Sequence, residues 1–509
     1  MIDVFSQLPI LLIAIPLFAA PVCVLLGGRW LTYLLSLIVC GTTFVISIGL
    51  MQQVIKFGPI HYEIGNWKPP YGIEYVVDEL SGFVLILVSA MAVIVLLYGK
   101  PSVDVEIPRS KHYLFYASYL LCMTGLLGMC ITGDLFNVFV FLEISSLSSY
   151  ALISLGRTRR APLAALQYLI AGTIGATFFL IGIGLLYQMT GTLNMSDIAS
   201  RLDTETGPRT LLVAFGFMTV GLFVKMAVFP LHSWLPNAYT YAPSVVTAFV
   251  AATATKVSVY AFIRLVFGIF KPEFAFEQMP LGGLIIGLSL FGIFMASTAA
   301  IFQDDVKRLL AYSSIAQIGY MLLGIGMATQ QTLTAGIVHM FNHALIKGGL
   351  FMVVGCFVLR LGSSRLSDWR GAGKTMPWTS LAWVIGGFGL IGVPMTAGFV
   401  SKFLLLTGAF NANQPIVAGL MLISSLLAVV YVWRVVETLY FSDQPSDAVR
   451  GSKEAPVWML APMYAVVLAI IVFGAWSQLS AGMAAEAAES LLPAGWGSSI
   501  TDTGAGGAP

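Results

Sequence analysis

Charge is what this sequence has least of. Of its 509 residues only 10% are charged and 58% are apolar, and the mean hydropathy is +0.88. A water-soluble domain carries about a quarter charged residues, so most of the surface of this chain must face lipid. The net charge of +2 provides no basic patch and argues against nucleic acid as a partner. Cysteine is scarce as well. Cys23, Cys40, Cys122, Cys130 and Cys356 all fall in apolar stretches and none forms a CxxC. They imply neither a disulfide framework nor a metal cluster, and read as small apolar core residues. The N-terminus lacks the basic stretch of a secretory signal. Only Asp3 precedes the apolar run 8–26, and no small-residue cleavage site follows, so this run is read as a membrane span.

Long apolar runs are abundant. A helix needs about 20 such residues to cross the hydrocarbon, and fourteen candidates satisfy this. Their approximate extents are 8–26, 30–50, 79–98, 113–131, 135–155, 163–189, 209–229, 243–269, 280–302, 308–327, 332–359, 377–409, 414–441 and 456–479. The expected fold is therefore an all-α polytopic membrane protein. Pro230, Pro236 and Pro243 predict a break near the end of the seventh span. Gly386, Gly387, Gly389, Gly392, Pro394 and Gly398 predict one inside the twelfth. The loop 51–78 is rich in aromatic and Pro residues and suits a small hairpin, whereas the Ala/Gly-rich tail after 480 contains no long helix. No separate soluble domain is expected.

Fourteen spans put both termini on one side. Loops on the opposite side hold fifteen Lys and Arg, from Arg29 through Lys307 and Arg308 to Lys453; loops on the terminal side hold five, Lys56, Lys68, Arg201, Arg209 and Lys271. The positive-inside rule then places both termini outside the cytoplasm. Arg264 and Arg434 sit near helix ends and can snorkel. His61 and His112 read as loop residues.

Four lysines remain deep: Lys225, Lys256, Lys347 and Lys402. Each would cost about 2.5–3.5 kcal/mol facing lipid, roughly 10–14 kcal/mol together, so they must face the bundle interior, partners or water. Any one of them could simply anchor packing through a carbonyl; four together point to an ion pathway. The one clearly deep acid is Glu143, about nine residues into the fifth span and so near mid-depth. A buried acid and base hold each other charged, and separating them favours the neutral form of each. Such a pair can couple movement to proton release. His339, His343 and Lys347 recur at intervals of four, on one helix face, and imidazole relays protons near neutral pH. The His pair has no third ligand nearby for zinc. His232, beside Pro230, is open between a helix-end role and a relay role.

Two motifs resemble nucleotide sites and are rejected. Gly387, Gly389 and Gly392 spell GxGxxG, but no strand precedes them and no ribose-binding acid lies about twenty residues on. Gly371 to Thr375 looks like the end of a P-loop, but Asp368 stands where its first Gly is required. No cofactor is expected.

Spans four to eight and nine to thirteen form two sets of five. An odd count makes consecutive repeats inverted, with broken spans seven and twelve in corresponding places, each with a deep lysine, Lys225 and Lys402. The organisation expected is residues 1–112 as N-terminal spans with the outside loop, 113–269 and 280–441 as the two five-helix repeats, and 442–509 as the last span and tail.

Several stretches carry a family resemblance. They are Lys225-Met-Ala-Val-Phe-Pro-Leu-His-Ser-Trp-Leu-Pro, Ala242-Pro243-Ser, Lys256-Val-Ser-Val-Tyr, the run Asp305 to Tyr320, and His339 to Lys347. Together they resemble the antiporter-like subunits shared by respiratory complex I, membrane hydrogenases and Mrp-type Na⁺/H⁺ antiporters, over roughly residues 75 to 440. Gly65 to Asp78, Gly133 to Asn137 and Thr190 to Asn194 are most similar to the D-type chain of Mrp antiporters. The resemblance implies that Glu143 and Lys225 form a coupling pair, with Lys256, His339, His343, Lys347 and Lys402 on a hydrated axis. It also implies a bacterial inner-membrane complex of several membrane subunits that exchanges H⁺ for Na⁺, without catalytic chemistry in this chain. The alternative is a proton-pumping subunit of a redox complex.

Overall fold

The computed structural model describes residues 4–202, 208–442, 445–493 and 496. Its helices, in chain order, are α1 (Leu8–Leu26), α2 (Arg29–Phe57), α3 (Glu79–Glu106), α4 (His112–Ile131), α5 (Leu135–Ser154), α6 (Ala161–Thr190), α7 (Met195–Leu202), α8 (Pro208–Met226), α9 (Trp234–Tyr241) and α10 (Ser244–Ile263). There follow α11 (Leu281–Ile301), α12 (Val306–Gly326), α13 (Gln330–Leu361), α14 (Ala372–Thr375), α15 (Pro377–Ile391), α16 (Ala397–Asn411), α17 (Pro415–Tyr440), α18 (Val457–Ala475) and α19 (Gln478–Leu491). Among the described residues thirteen helices are long and apolar enough to cross a membrane. The remaining span, the twelfth, is split into α15 and α16, of 15 residues each.

Three of the spans, α3, α5 and α12, begin where an aspartate side chain satisfies an open N–H group of the first turn. Asp78 accepts from the Ser81 N–H in a reciprocal capping box, Asp134 accepts from the Asn137 N–H at 2.8 Å, and Asp305 from that of Arg308 at 3.1 Å. A cap of this kind contributes about 1 kcal/mol. Between α2 and α3 the chain makes the expected hairpin: β1 (Ile60–Glu63) pairs antiparallel with β2 (Glu74–Val77), Ile60 opposite Val77.

The chain divides into two compact units. One comprises residues 1–227 and 231–271, the other 228–230 and 272–509. In the first, α4 packs on α1 and α5, and α6 on α8. In the second, α13 is the central element, packed against α12, α15, α16, α18 and α19. Every residue of α13 from Thr332 to Phe357 is buried, so the face bearing His339, His343 and Lys347 lies inside this unit.

Both breaks fall where Pro and Gly predict. After α8, Ala227 takes φ +59°, a left-handed conformation that ends the helix, and α9 starts seven residues later. After α15, Gly392 takes φ +92° and Met395 +68°. Gly398 packs so close to α15 that a Cβ there would lie 1.8 Å from the Gly389 carbonyl oxygen.

Arg264 and Arg434 reach from near their helix ends to a carboxylate each, Asp78 and Asp304. Three expectations need correction. Lys307 is buried in the first turn of α12, because Asp305 starts the helix earlier than the apolar pattern indicates. His61 lies on β1 against Glu74, and His112 opens α4 fully buried. The tail does form a helix, α19, whose small Ala residues pack against α13.

Candidate functional site

In the first unit the site is built from α5 and the end of α8. Glu143, Ser146 and Tyr150 stand three and four residues apart on α5, a spacing that aligns them on one face. Lys225, one residue before the end of α8, points at all three. Its Nζ lies 3.5 Å from Glu143 Oε1, 2.8 Å from Ser146 Oγ and 3.5 Å from Tyr150 Oη. The carboxylate is thus a partner by charge, and the serine hydroxyl is the close hydrogen-bond acceptor. The Lys225 side chain is 3% accessible and that of Glu143 23%, so the base is sealed and the acid is the member that can change its surroundings. Gly172 on α6 leaves the space: a Cβ there would come within 1.9 Å of the Tyr150 oxygen. The carbonyl of Val224, next to the break, accepts from the Trp234 indole at 2.9 Å. His232 lies in the turn between α8 and α9, partly buried.

Lys256 sits on α10, 1% exposed. It donates to the Ala251 carbonyl and, at 3.3 Å, to Thr255 Oγ1. These bonds stay within α10, and Tyr260 and Arg264 follow at intervals of four on the same face.

In the second unit α13 presents its polar face to α12 and α16. His339 Nε2 lies 3.0 Å from Gln317 Oε1 and its Nδ1 2.8 Å from Ser401 Oγ. An amide oxygen only accepts, so Nε2 carries the hydrogen and the neutral ring accepts at Nδ1 from the serine. In the imidazolium both nitrogens donate. Ser401 then becomes the acceptor and turns its own hydrogen to the Gly398 carbonyl, 3.3 Å away. The ring can therefore take or give a proton without losing a partner. The His343 ring stacks parallel to that of His339 at 6.0 Å. Lys347 donates to the Leu310 carbonyl at 3.0 Å and to the Ser313 hydroxyl.

Lys402 completes this set. Its Nζ donates to the carbonyls of Leu390 and Ile391, at 3.0 and 2.9 Å. These belong to the last turn of α15, freed because the helix stops there, and a helix C-terminus attracts a cation. The ammonium also lies 4.9 Å from the centre of the Tyr320 ring, which is 5.7 Å from that of His339. At the first break an indole satisfies the freed carbonyl; at the second the lysine itself does.

Among the described residues no group of three or more His, Cys, Asp or Glu could hold a metal ion. Each unit holds a set of proton donors and acceptors, with Lys225 and Lys402 at the helix breaks and the others on continuous helices. Residues 132–428, more than half the chain, match the transmembrane family described as NADH:quinone oxidoreductase/Mrp antiporter. The chain belongs to this family.

Its relatives in the NADH:quinone oxidoreductase/Mrp antiporter family come from both branches. The chain is 40% identical to the N-type chain of the NADH-quinone oxidoreductase of Desulforudis audaxviator, over 93% of this chain and 96% of the relative. It is 32% identical to the D-type chain of the Na⁺/H⁺ antiporter of Alkalihalophilus pseudofirmus, over 84% and 85%. In fold it matches a chain of the Mrp complex from Dietzia with a TM-score of 0.88 at 23% identity, covering 98% of this chain and 100% of that one.

Sequence reasoning named the ionisable candidates and passed over the neutral groups the structure places beside them: Ser146, Tyr150, Gln317, Ser401 and Tyr320. Spacing could have found the first two, since they share the face of Glu143. Nothing local distinguishes Gln317 or Ser401 until the helices pack.

Proposed function

We propose that this chain is a proton-translocating subunit of a multisubunit Na⁺/H⁺ antiporter in a bacterial cell membrane. It works without covalent chemistry, and both its termini lie outside the cytoplasm. The observation that carries the reading is the ammonium of Lys225, sealed at a helix break with a carboxylate and two hydroxyls in reach. With Glu143 charged nearby, the ammonium is compensated. When Glu143 is neutralised or turns away, only Ser146 and Tyr150 remain, and a buried cation with neutral acceptors releases its proton more readily. In the second unit His339, with a partner at each nitrogen in either protonation state, takes up and passes on protons. Lys402 holds its proton against the end of α15. Glu143, Lys225 and Lys256 in one unit and His339, His343, Lys347 and Lys402 in the other are the residues assigned to proton movement, with His232 as a further relay candidate.

The test is Glu143→Gln in everted vesicles containing the whole complex. Exchange of Na⁺ for H⁺ should fall to background while the complex still assembles. Exchange at the wild-type rate by an assembled variant sinks the assignment. The 40% identity to an NADH-quinone oxidoreductase chain favours a second reading, in which a redox module drives this chain as a proton pump. Purification of the intact complex separates the two. Iron–sulfur subunits among the partners select the second, and small membrane subunits alone select the first.

A further inference from the structure

At the end of the first unit opposite the hairpin lies a recess of about 430 Å³ that the coupling pair does not touch. Its walls are the turn between α1 and α2, the last turns of α3 and the start of α4. Two cations line it, Arg29 at the first residue of α2 and Lys100 on α3. Among the described residues neither is paired with a carboxylate. The Lys100 ammonium rests instead on the Trp30 ring, 3.8 Å from its centre, with the Tyr33 ring at 5.5 Å. A ring face attracts an ammonium without engaging all three of its donors. The first turn of α2 has no side-chain cap and adds open N–H groups to the same wall. Two acids are near. Asp104 lines the recess and stands 3.8 Å from Nδ1 of the buried His112, whose Nε2 faces the Ile107 carbonyl at 3.2 Å. Glu106 turns away to the N–H and hydroxyl of Ser244 on α10, at 2.9 and 3.0 Å. With His112 neutral, the lining therefore holds Arg29 and Lys100 against Asp104 alone, and the exposed Arg109 and Lys111 stand on the turn into α4. Trp30 and Leu31, also in the lining, are 59% and 55% exposed. Leu34, Ile38 and Val45 continue an exposed apolar line down α2 at helical spacing. From Leu31 to Val45 it runs about 21 Å, beyond the roughly 15 Å of hydrocarbon in one leaflet.

We propose that this recess binds the headgroup of an anionic glycerophospholipid, of the phosphatidylglycerol type, in the leaflet on the side opposite the hairpin. The phosphate lies between Arg29 and Lys100, Asp104 accepts from the hydroxyls of the headgroup, and one acyl chain follows the apolar line of α2. A basic recess at the level of helix ends that opens onto such a line fits a molecule with an anion at one end and a hydrocarbon chain below it.

The native cysteines are buried, so a single introduced thiol on this chain carries a label in the intact complex. Leu31→Cys, labelled with a maleimide benzophenone and irradiated in native membranes, should yield an adduct with the mass of an anionic phospholipid. Leu163→Cys, exposed at the start of α6 on the same side, reads the bulk composition of that leaflet. The ratio of anionic to zwitterionic adducts should be higher at Leu31→Cys by about fivefold or more, the scale of one unopposed basic residue at a membrane surface. Arg29→Gln together with Lys100→Gln should bring it down to the bulk ratio. Arg159→Gln, on the same side but outside the recess, should leave it unchanged. Equal ratios at the two positions, a preference for phosphatidylethanolamine, an adduct to another polypeptide, or a preference that survives the double substitution would each overturn the site. The Leu31→Cys complex with its charges intact, reconstituted in phosphatidylcholine vesicles holding a minor share of phosphatidylglycerol, repeats the measurement without relying on assembly of the double variant. Adducts there in proportion to the vesicle composition would overturn the site as well.

Discussion

A single imidazole shows how much of this site depends on neutral neighbours. His339 keeps a partner at each nitrogen in both protonation states because Gln317 only accepts there and Ser401 can do either. Losing a hydrogen bond to a charged group costs about 1.5–3 kcal/mol, or roughly 10- to 150-fold in a rate that passes through that state. Ser401→Ala should slow exchange by about that factor and Ser401→Thr should restore it, since only the hydroxyl matters; equal rates in both variants would remove Ser401 from the path. Lys402 gives a sharper case. Lys402→Ala also strips the partner from two carbonyls and so confounds folding with function. In Lys402→Arg the guanidinium can bond the same carbonyls but keeps its proton, so exchange should remain near background in a complex of normal stability. Full activity there would mean that a fixed charge suffices. The charged members of this set were legible in the sequence because charge in an apolar span is costly and stands out. Gln317, Ser401, Ser146 and Tyr150 were not, because hydroxyls and amides are ordinary in membrane helices and acquire meaning only from a distance.

At the scale of elements, the breaks do the positioning. A continuous twelfth span would bond the Leu390 and Ile391 carbonyls to its own backbone, and Lys402 would lose its acceptors. The break depends on close approach: the space for a Cβ at Gly398 is already occupied by the Gly389 carbonyl oxygen, 1.8 Å away, and backbone cannot move aside cheaply. Gly398→Ala should therefore destabilise the complex by several times the roughly 1 kcal/mol scale of an ordinary Gly–Ala difference. Gly419→Ala, on α17 with nothing within 4 Å, should be neutral or mildly stabilising. Thermal unfolding of the purified complex compares them, and equal midpoints would show that this contact does not hold the break. The breaks and the hairpin were legible because Pro and Gly clusters announce them. The α12 start was placed too late, since Asp305 caps a first turn that buries Lys307 before the apolar pattern begins. α19 was missed because its pattern is Ala rather than Leu, and small residues signal packing only once α13 is beside them.

For the whole molecule the proposed orientation rests on charge asymmetry rather than on any single contact. Fifteen basic residues lie in loops or at helix ends on one side and five on the other. The described spans preserve that alternation, because α15 and α16 together make one crossing and keep the count at fourteen. Had the split span been two crossings, every later loop would change sides and the asymmetry would dissolve. In the proposed orientation the side that receives the hairpin is the outer one, and the side of the Arg157 to Arg160 loop is the cytoplasm. Two exposed positions test this. Tyr71, at the hairpin tip, is 93% accessible, and Arg159 is exposed in the opposite loop. In whole cells an impermeant thiol reagent should label Tyr71→Cys and leave Arg159→Cys untouched until the membrane is inverted. The reverse pattern would turn the molecule over.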